Sequence, residues 1–293
     1  RSVFAFTGEG ILVSLKLADG TRNWTANPLK ELGGKPADYG MACSPLIAGD
    51  LVVVTAGTKA GTVVAYRKAD GKLAWKTGGD STGYSSPALL KVGGKPHIVV
   101  FAGSAALGLD PKTGAQLWRY PYVTDYDCNI ATPLSLGGNV FLSSGENHGS
   151  VLLSLKPNGK MFTPKPVWTA NGPGSVLRNE WQTSILLDGQ LYGLDNVGSA
   201  GPVTHLTCVN AKTGKRVWQK RRFGKSNMIY ADRKLWFTTM KGELLIVKAT
   251  PKGFEELARS KPLLGRTRQA PAISSGRLFV RDDRVVVCVS VRK

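Results

Sequence analysis

The chain has 293 residues, 42% of them hydrophobic and 20% charged, with 35 Gly and 16 Pro. That balance fits a packed globular chain and excludes a disordered one, and no run approaches the roughly 18 apolar residues of a membrane-spanning helix. The net charge of +19 is uneven: residues 212–293 hold 21 basic against 6 acidic side chains, and residues 1–211 hold 18 against 14.

Taken in order, the chain opens inside a strand-like segment, Val3-Phe4-Ala5-Phe6, so an N-terminus cut from a longer protein is expected. The clearest unit runs from Cys43 to Trp75. Ser44 to Ala48 reads as a short first strand, Gly49-Asp50 as a tight hairpin turn, and Leu51 to Ala56 as a β-branched second strand. Thr62 to Tyr66 is the third strand, and Leu73-Ala74-Trp75 is the fourth, after a turn at Asp70-Gly71. First strands recur at Ser86-Pro87-Ala88-Leu89, Thr132-Pro133-Leu134, Thr183 to Leu186 and Ala270 to Ile273. Second strands recur at Val140 to Leu142, Leu191 to Gly193, Leu235 to Phe237 and Leu278 to Val280. No segment shows a sustained 3.6-residue period with caps, so almost no helix is expected.

Each unit ends on a turn and an aromatic residue. The pattern is Asp19-Gly20-x3-Trp24, Asp70-Gly71-x3-Trp75, Thr113-Gly114-x3-Trp118 and Thr213-Gly214-x3-Trp218. Two degenerate copies are Asn158-Gly159 with a late Trp168, and Gly253-x3-Leu257. The steps between these residues are 51, 43, 50, 50 and 39. A period in this range, with four antiparallel strands in each, is the arithmetic of a propeller blade. The spacing predicts one all-β propeller domain over 1–293. Seven units are visible, the first and last incomplete, and eight are expected in the intact protein. Trp24, Trp75, Trp118, Trp168 and Trp218 are assigned to docking one blade on the next, where a large ring buries apolar area and its N–H can find a backbone acceptor.

The run Gly108-Leu109-Asp110-Pro111-Lys112-Thr113-Gly114-Ala115-Gln116-Leu117-Trp118 resembles the tryptophan-docking repeat of the pyrroloquinoline-quinone-type propellers, and the run from Cys208 to Trp218 resembles it equally. The resemblance extends over essentially the whole chain. One branch of this family is the quinoprotein dehydrogenases, which hold the quinone with calcium. Another is the quinone-free binding propellers, such as the lipoprotein of the outer-membrane β-barrel assembly machinery, and a third is a set of bacterial envelope propellers. The resemblance implies a periplasmic or secreted protein. The adjacent cysteines of the alcohol-oxidising branch are missing. A calcium set could be drawn only loosely from Asp125, Asp127, Asn129, Glu146, Asn147 and Glu180, with Trp181 as a ring to stack on the quinone.

Other chemistry finds little support. His97, His148 and His205 are scattered over different units, with no nucleophile-base order or paired-His spacing. Cys43, Cys128, Cys208 and Cys288 form no CxxC. Cys208 and Cys288 share the repeat slot that holds Ser14, Ala65, Gly108 and Ser154 elsewhere, so both are expected to be buried small hydrophobes. Gly224-Lys225-Ser226 resembles the end of a phosphate-binding loop, but the first Gly of that motif is replaced by Gln219.

In a propeller the loops that lead into the first strands gather at one mouth, a usual place for ligands. Those loops supply the candidate binding residues Tyr39, Tyr84, Ser85, Asp125, Asp127, Asn129, Trp181, Asn227, Arg266 and Arg268. Carboxylates come from the early units and cations from the late ones. The reading is a monomeric, non-catalytic scaffold for a protein partner or an anionic ligand, with no catalytic residue, metal or cofactor expected and no nucleic acid. The alternatives are an alcohol or sugar oxidoreductase using pyrroloquinoline quinone and calcium, and a polyanion-binding surface protein that uses the basic last third.

Overall fold

The computed structural model describes residues 1–198 and 203–291. It is an all-β propeller of seven antiparallel sheets, each built from strands consecutive in the chain. Five sheets have four strands, and the first and seventh have three. The first sheet comprises Ser2–Phe6, Leu12–Lys16 and Arg22–Ala26; the second comprises Leu46–Ala48, Leu51–Thr58, Gly61–Arg67 and Leu73–Thr77. The third runs from Ala88–Val92 to Gln116–Pro121, the fourth from Leu134–Leu136 to Met161–Asn171, and the fifth from Ile185–Leu187 to Arg216–Lys220. The sixth comprises Ser226–Ala231, Lys234–Thr239, Leu244–Lys248 and Glu256–Ser260, and the seventh Ala272–Ser274, Arg277–Arg281 and Val286–Ser290. The described helix is limited to Pro28–Glu31, capped by the Asn27 side chain, and two short 3-10 turns.

The first strands begin two residues later than the sequence suggests, at Leu46, Ala88, Leu134, Ile185 and Ala272. In four of the five the residue just before the strand is proline; before Ile185 it is Ser184. Proline has no N–H to give the ladder and fixes φ, so pairing starts after it.

The chain forms two compact units. One comprises Arg1–Leu142 with Val151–Val167; the other comprises Ser143–Ser150 with Trp168–Lys293. In each, the core lies between consecutive sheets. In the first unit Val52, Val54, Val64 and Tyr66 of the second sheet pack with Leu12 of the first. Val99, Phe101, Leu142, Leu153 and Phe162 form a second such layer. In the second unit Tyr192, Leu206 and Cys208 pack with Phe237, Leu245 and Val247.

The tryptophans occupy one register. Trp24 stands opposite Ser14, Trp75 opposite Ala65, Trp118 opposite Gly108 and Trp218 opposite Cys208, each beside a bulge. A small partner leaves room for the ring. In the first unit Trp24 Nε1 donates to the Lys68 carbonyl of the second sheet at 2.9 Å, and its ring lies under Gly71, where a Cβ would come within 2.7 Å of the indole. Gly71 has φ +70, so the residue satisfies both the left-handed turn and the close approach. In the second unit Trp168 donates to Ala211 at 3.0 Å and Trp218 to Thr250 at 2.9 Å.

Three seams depart from this pattern, the mildest at Trp75, whose ring lies against Gly114 but whose Nε1 is buried without an acceptor. Trp118 folds over its own sheet onto Gly108, and its Nε1 donates to Nδ1 of His97 at 3.0 Å. Phe162, from the next sheet, meets the His97 ring edge-on at a centroid distance of 4.7 Å. In the sixth sheet the register equivalent of the tryptophans is Ala258, not Leu257, which is the extra residue of the bulge. Opposite Ala258 stands Ile246. Volume lost from one side of the pair is regained on the other.

Cys208 is fully buried between Tyr192 and Trp218, and burial pushes its thiol up to about 11. Cys288 corrects the expectation of two buried thiols, because it is exposed. It pairs with Phe279 in the last described strand of the seventh sheet, where none of the described strands brings a ring across it.

Candidate binding loops

In the first unit the loops around Tyr39, Tyr84 and Asp125 to Asn129 surround a cavity of 560 Å3 lined by Tyr84, Tyr126 and Asp127 together with Asp38 and Lys59. Tyr39 is 71% exposed and meets Tyr84 in a tilted ring contact, at a centroid distance of 5.6 Å and 57° between the planes. Its amide donates to the Tyr84 hydroxyl at 3.4 Å. Burial pushes the Tyr84 phenol up, which keeps it neutral. Asp125 is exposed, and Asp127 adopts the left-handed conformation at φ +54, next to Tyr126 at φ +59. Two consecutive non-glycine residues there hold a locally strained turn.

The other two candidates of this unit face inward. Asn129 is fully buried. Its Nδ2 donates to the carbonyls of Ala102 at 2.7 Å, Gly103 at 3.2 Å and Tyr122 at 3.2 Å, and its Oδ1 accepts from Thr124 at 3.1 Å. It brackets two backbone segments, 102–103 and the strand end at Tyr122, and leaves no side-chain polar atom for a ligand. Ser85 is likewise buried, its hydroxyl bonded to the Ser86 carbonyl.

In the second unit the segment 178–182 is a chain of charged contacts. Arg178 forms a buried two-pronged pair with Asp195, at 2.7 and 3.0 Å. Glu180 Oε1 pairs with Lys225 Nζ at 2.8 Å, while Oε2 is buried without a hydrogen-bond partner. Burial pushes the Glu180 carboxyl up, against the pull of the Lys225 ammonium. Trp181 is half-buried under two cations: Lys225 Nζ lies 4.1 Å and Arg268 Cζ 5.1 Å from its ring centroid. Such contacts contribute on the order of 0.5–1 kcal/mol when exposed. Asn227 holds the loop of Arg268, its Nδ2 donating to the Arg268 carbonyl at 2.9 Å.

The structure therefore brings Tyr39, Tyr84 and Asp127 together in one unit, and Trp181, Asn227, Arg266 and Arg268 in the other. Asp195 escaped the sequence reading. Its signal was a lone carboxylate in the otherwise apolar strand Leu191-Tyr192-Gly193-Leu194-Asp195. Lys59, in the turn between the second and third strands of the second sheet, also lines the first cavity.

Three members of the loose quinone and calcium set are engaged elsewhere. Asn129 spends its amide on backbone, Glu180 is paired with Lys225, and the Trp181 face that would stack on a quinone carries two cations. Among the described residues no three His, Cys, Asp or Glu side chains gather as metal ligands.

Residues 1–220 match the protein family described as outer membrane protein assembly factor BamB. The chain belongs to the BamB family. The solved structure of BamB from Moraxella catarrhalis is similar at 17% identity, over 98% of this chain and 81% of that one, with a TM-score of 0.72. Quinohemoprotein alcohol dehydrogenase from Comamonas testosteroni is similar at 12% identity, over 95% of this chain and 60% of that one, with a TM-score of 0.64. These likenesses establish the shared fold. No curated protein sequence matches the chain. No described helix of this BamB-family chain is long and apolar enough to cross a membrane.

Proposed function

We propose that this chain is a non-catalytic propeller of the bacterial cell envelope, periplasmic or secreted, that acts as a monomer and docks a protein partner through its loops. Family membership supports the assembly role, since the family is described by outer membrane protein assembly. The observation that carries the reading is the Trp181 platform. A half-buried indole topped by Lys225 and by Arg268, whose own carbonyl is pinned by Asn227, is an aromatic and cationic anchor. Tryptophan, tyrosine and arginine dominate the energetics of protein interfaces, and rigid anchors lose little entropy on docking. Tyr39, in tilted ring contact with Tyr84 yet 71% exposed, offers a second anchor in the other unit.

A photoreactive phenylalanine placed at Tyr39 or at Arg268 tests this in living cells. The expected result is one discrete adduct with a component of outer membrane protein assembly, missing when the probe sits at the exposed turn residue Lys112. Absence of that adduct from both loop positions would contradict partner docking.

A further inference from the structure

The loop 265–269 is held from three sides. The Gly265 amide donates to Oδ2 of Asp282 at 2.9 Å, the Arg268 carbonyl accepts from Asn227 at 2.9 Å, and the Gln269 carbonyl accepts from the Thr238 hydroxyl at 2.5 Å. Thr267 is buried between its two arginine neighbours, which are exposed. A backbone fixed in this way presents Arg266 and Arg268 without a further backbone ordering cost.

With Arg281, from the second strand of the seventh sheet, these arginines line a cavity of 330 Å3. Arg67, Arg119, Arg178 and Arg259 each have a carboxylate partner. Among the described residues Arg266, Arg268 and Arg281 have none, although Asp282 and Asp283 share the cavity wall. Asp282 is already committed. Its carboxylate accepts the amides of Gly265, Arg284 and Val285, at 2.8–2.9 Å. Those three N–H groups hold it in its charged form, with its oxygens turned to backbone rather than to the arginines, so Asp282 and Asp283 offset part, not all, of the charge of the three guanidinium groups.

We propose that this cavity binds a phosphate-type oxyanion. A guanidinium presents a planar fork of donors that matches phosphate and carboxylate oxygens alike. Three forks around one cavity exceed what the two oxygens of a carboxylate can accept, whereas a phosphate monoester offers three terminal oxygens and nearly two charges. The cavity lies at the small end of ligand sites, roughly 300–1,000 Å3, which suits a head group rather than an extended chain. The surroundings add long-range attraction, through the net charge of +15 over residues 212–293. The ligand could be a soluble phosphate compound or the head group of an anionic lipid. The inference does not depend on partner docking and would hold for a propeller that docks nothing.

The test titrates the full chain with inorganic pyrophosphate by calorimetry, and sediments it with vesicles of phosphatidylglycerol or of phosphatidylcholine. Arg266→Gln/Arg281→Gln is compared with Lys59→Gln/Lys112→Gln, an equal loss of charge in the other unit. Saturable pyrophosphate binding that weakens at least roughly tenfold in the arginine variant only supports the proposal with a soluble ligand. Sedimentation with phosphatidylglycerol alone, lost in the same variant, supports it with a lipid head group. Because Arg268 rests on Trp181, an occupied site also shifts tryptophan emission, and Trp181→Phe removes that shift. Failure of both probes to bind overturns the proposal, as does equal weakening in both variants. A glutamate decapeptide that binds more tightly than pyrophosphate and is lost in the arginine variant overturns the phosphate assignment in favour of an acidic partner.

Discussion

The loops of the two units carry the same kinds of residue and use them in opposite directions. In the first unit Asn129 and Ser85 turn inward and spend their hydrogen bonds on backbone. In the second unit Asn227 does the same work for Arg268, and the loop then projects its arginines outward. A polar residue in a propeller loop can therefore be the bracket or the thing bracketed. Burial separates the two: Asn129 is fully enclosed, and Arg266 and Arg268 stand in solvent.

The contrast sets an order of expected effects. Trp118→Ala should be the most damaging, because the ring is 1% exposed and also satisfies His97. A loss of about 3–5 kcal/mol is expected for a buried aromatic of this size, read as a lower denaturant midpoint; an unchanged midpoint would remove Trp118 from the core.

Asn129→Ala should follow, at roughly 2–3 kcal/mol, since it strands buried carbonyls of Ala102, Gly103 and Tyr122. A near-neutral result would mean that water replaces the amide, and the bracket would no longer distinguish the two units.

His97 gives a smaller, pH-dependent effect. Burial holds its imidazole below the ordinary value, and Nδ1 can accept from Trp118 only while the ring is neutral. The pKa is therefore lower in the folded than in the unfolded chain, so the contribution is complete above the unfolded value, about 6.5, and is lost as the pH falls. The melting temperature should decline below that pH, and His97→Gln should flatten the decline. An equal slope in the variant would assign the effect to other groups.

Smallest of all should be Arg266→Gln. As an exposed residue without a carboxylate partner, it should shift stability by no more than about 0.5 kcal/mol. A clear loss of stability would make Arg266 part of the scaffold rather than a presented cation.

The architecture was legible because it is written many times. Four copies of Gly-x3-Trp in one register, each with a small residue opposite the ring, leave few folds available. The exceptions were harder to read. Sequence alone does not show that Trp118 folds back onto Gly108 and bonds His97, with Phe162 of the next sheet against the His97 ring. The one-residue offset between Leu257 and Ala258 depends on where the bulge falls. Of the candidate site, the loops were legible and the direction of each side chain was not. Asn129 and Arg268 both read as polar loop residues, and only the packed neighbours decide which one faces a carbonyl and which faces solvent.

The central claim is that these loops bind and do not catalyse. The most direct measurement adds pyrroloquinoline quinone and calcium to the purified chain, removes the excess, and records the quinone absorbance together with dye-linked oxidation of alcohols and sugars. The account predicts no retained quinone and no dye reduction above the protein-free control. Stoichiometric retained quinone with substrate-dependent dye reduction would contradict it.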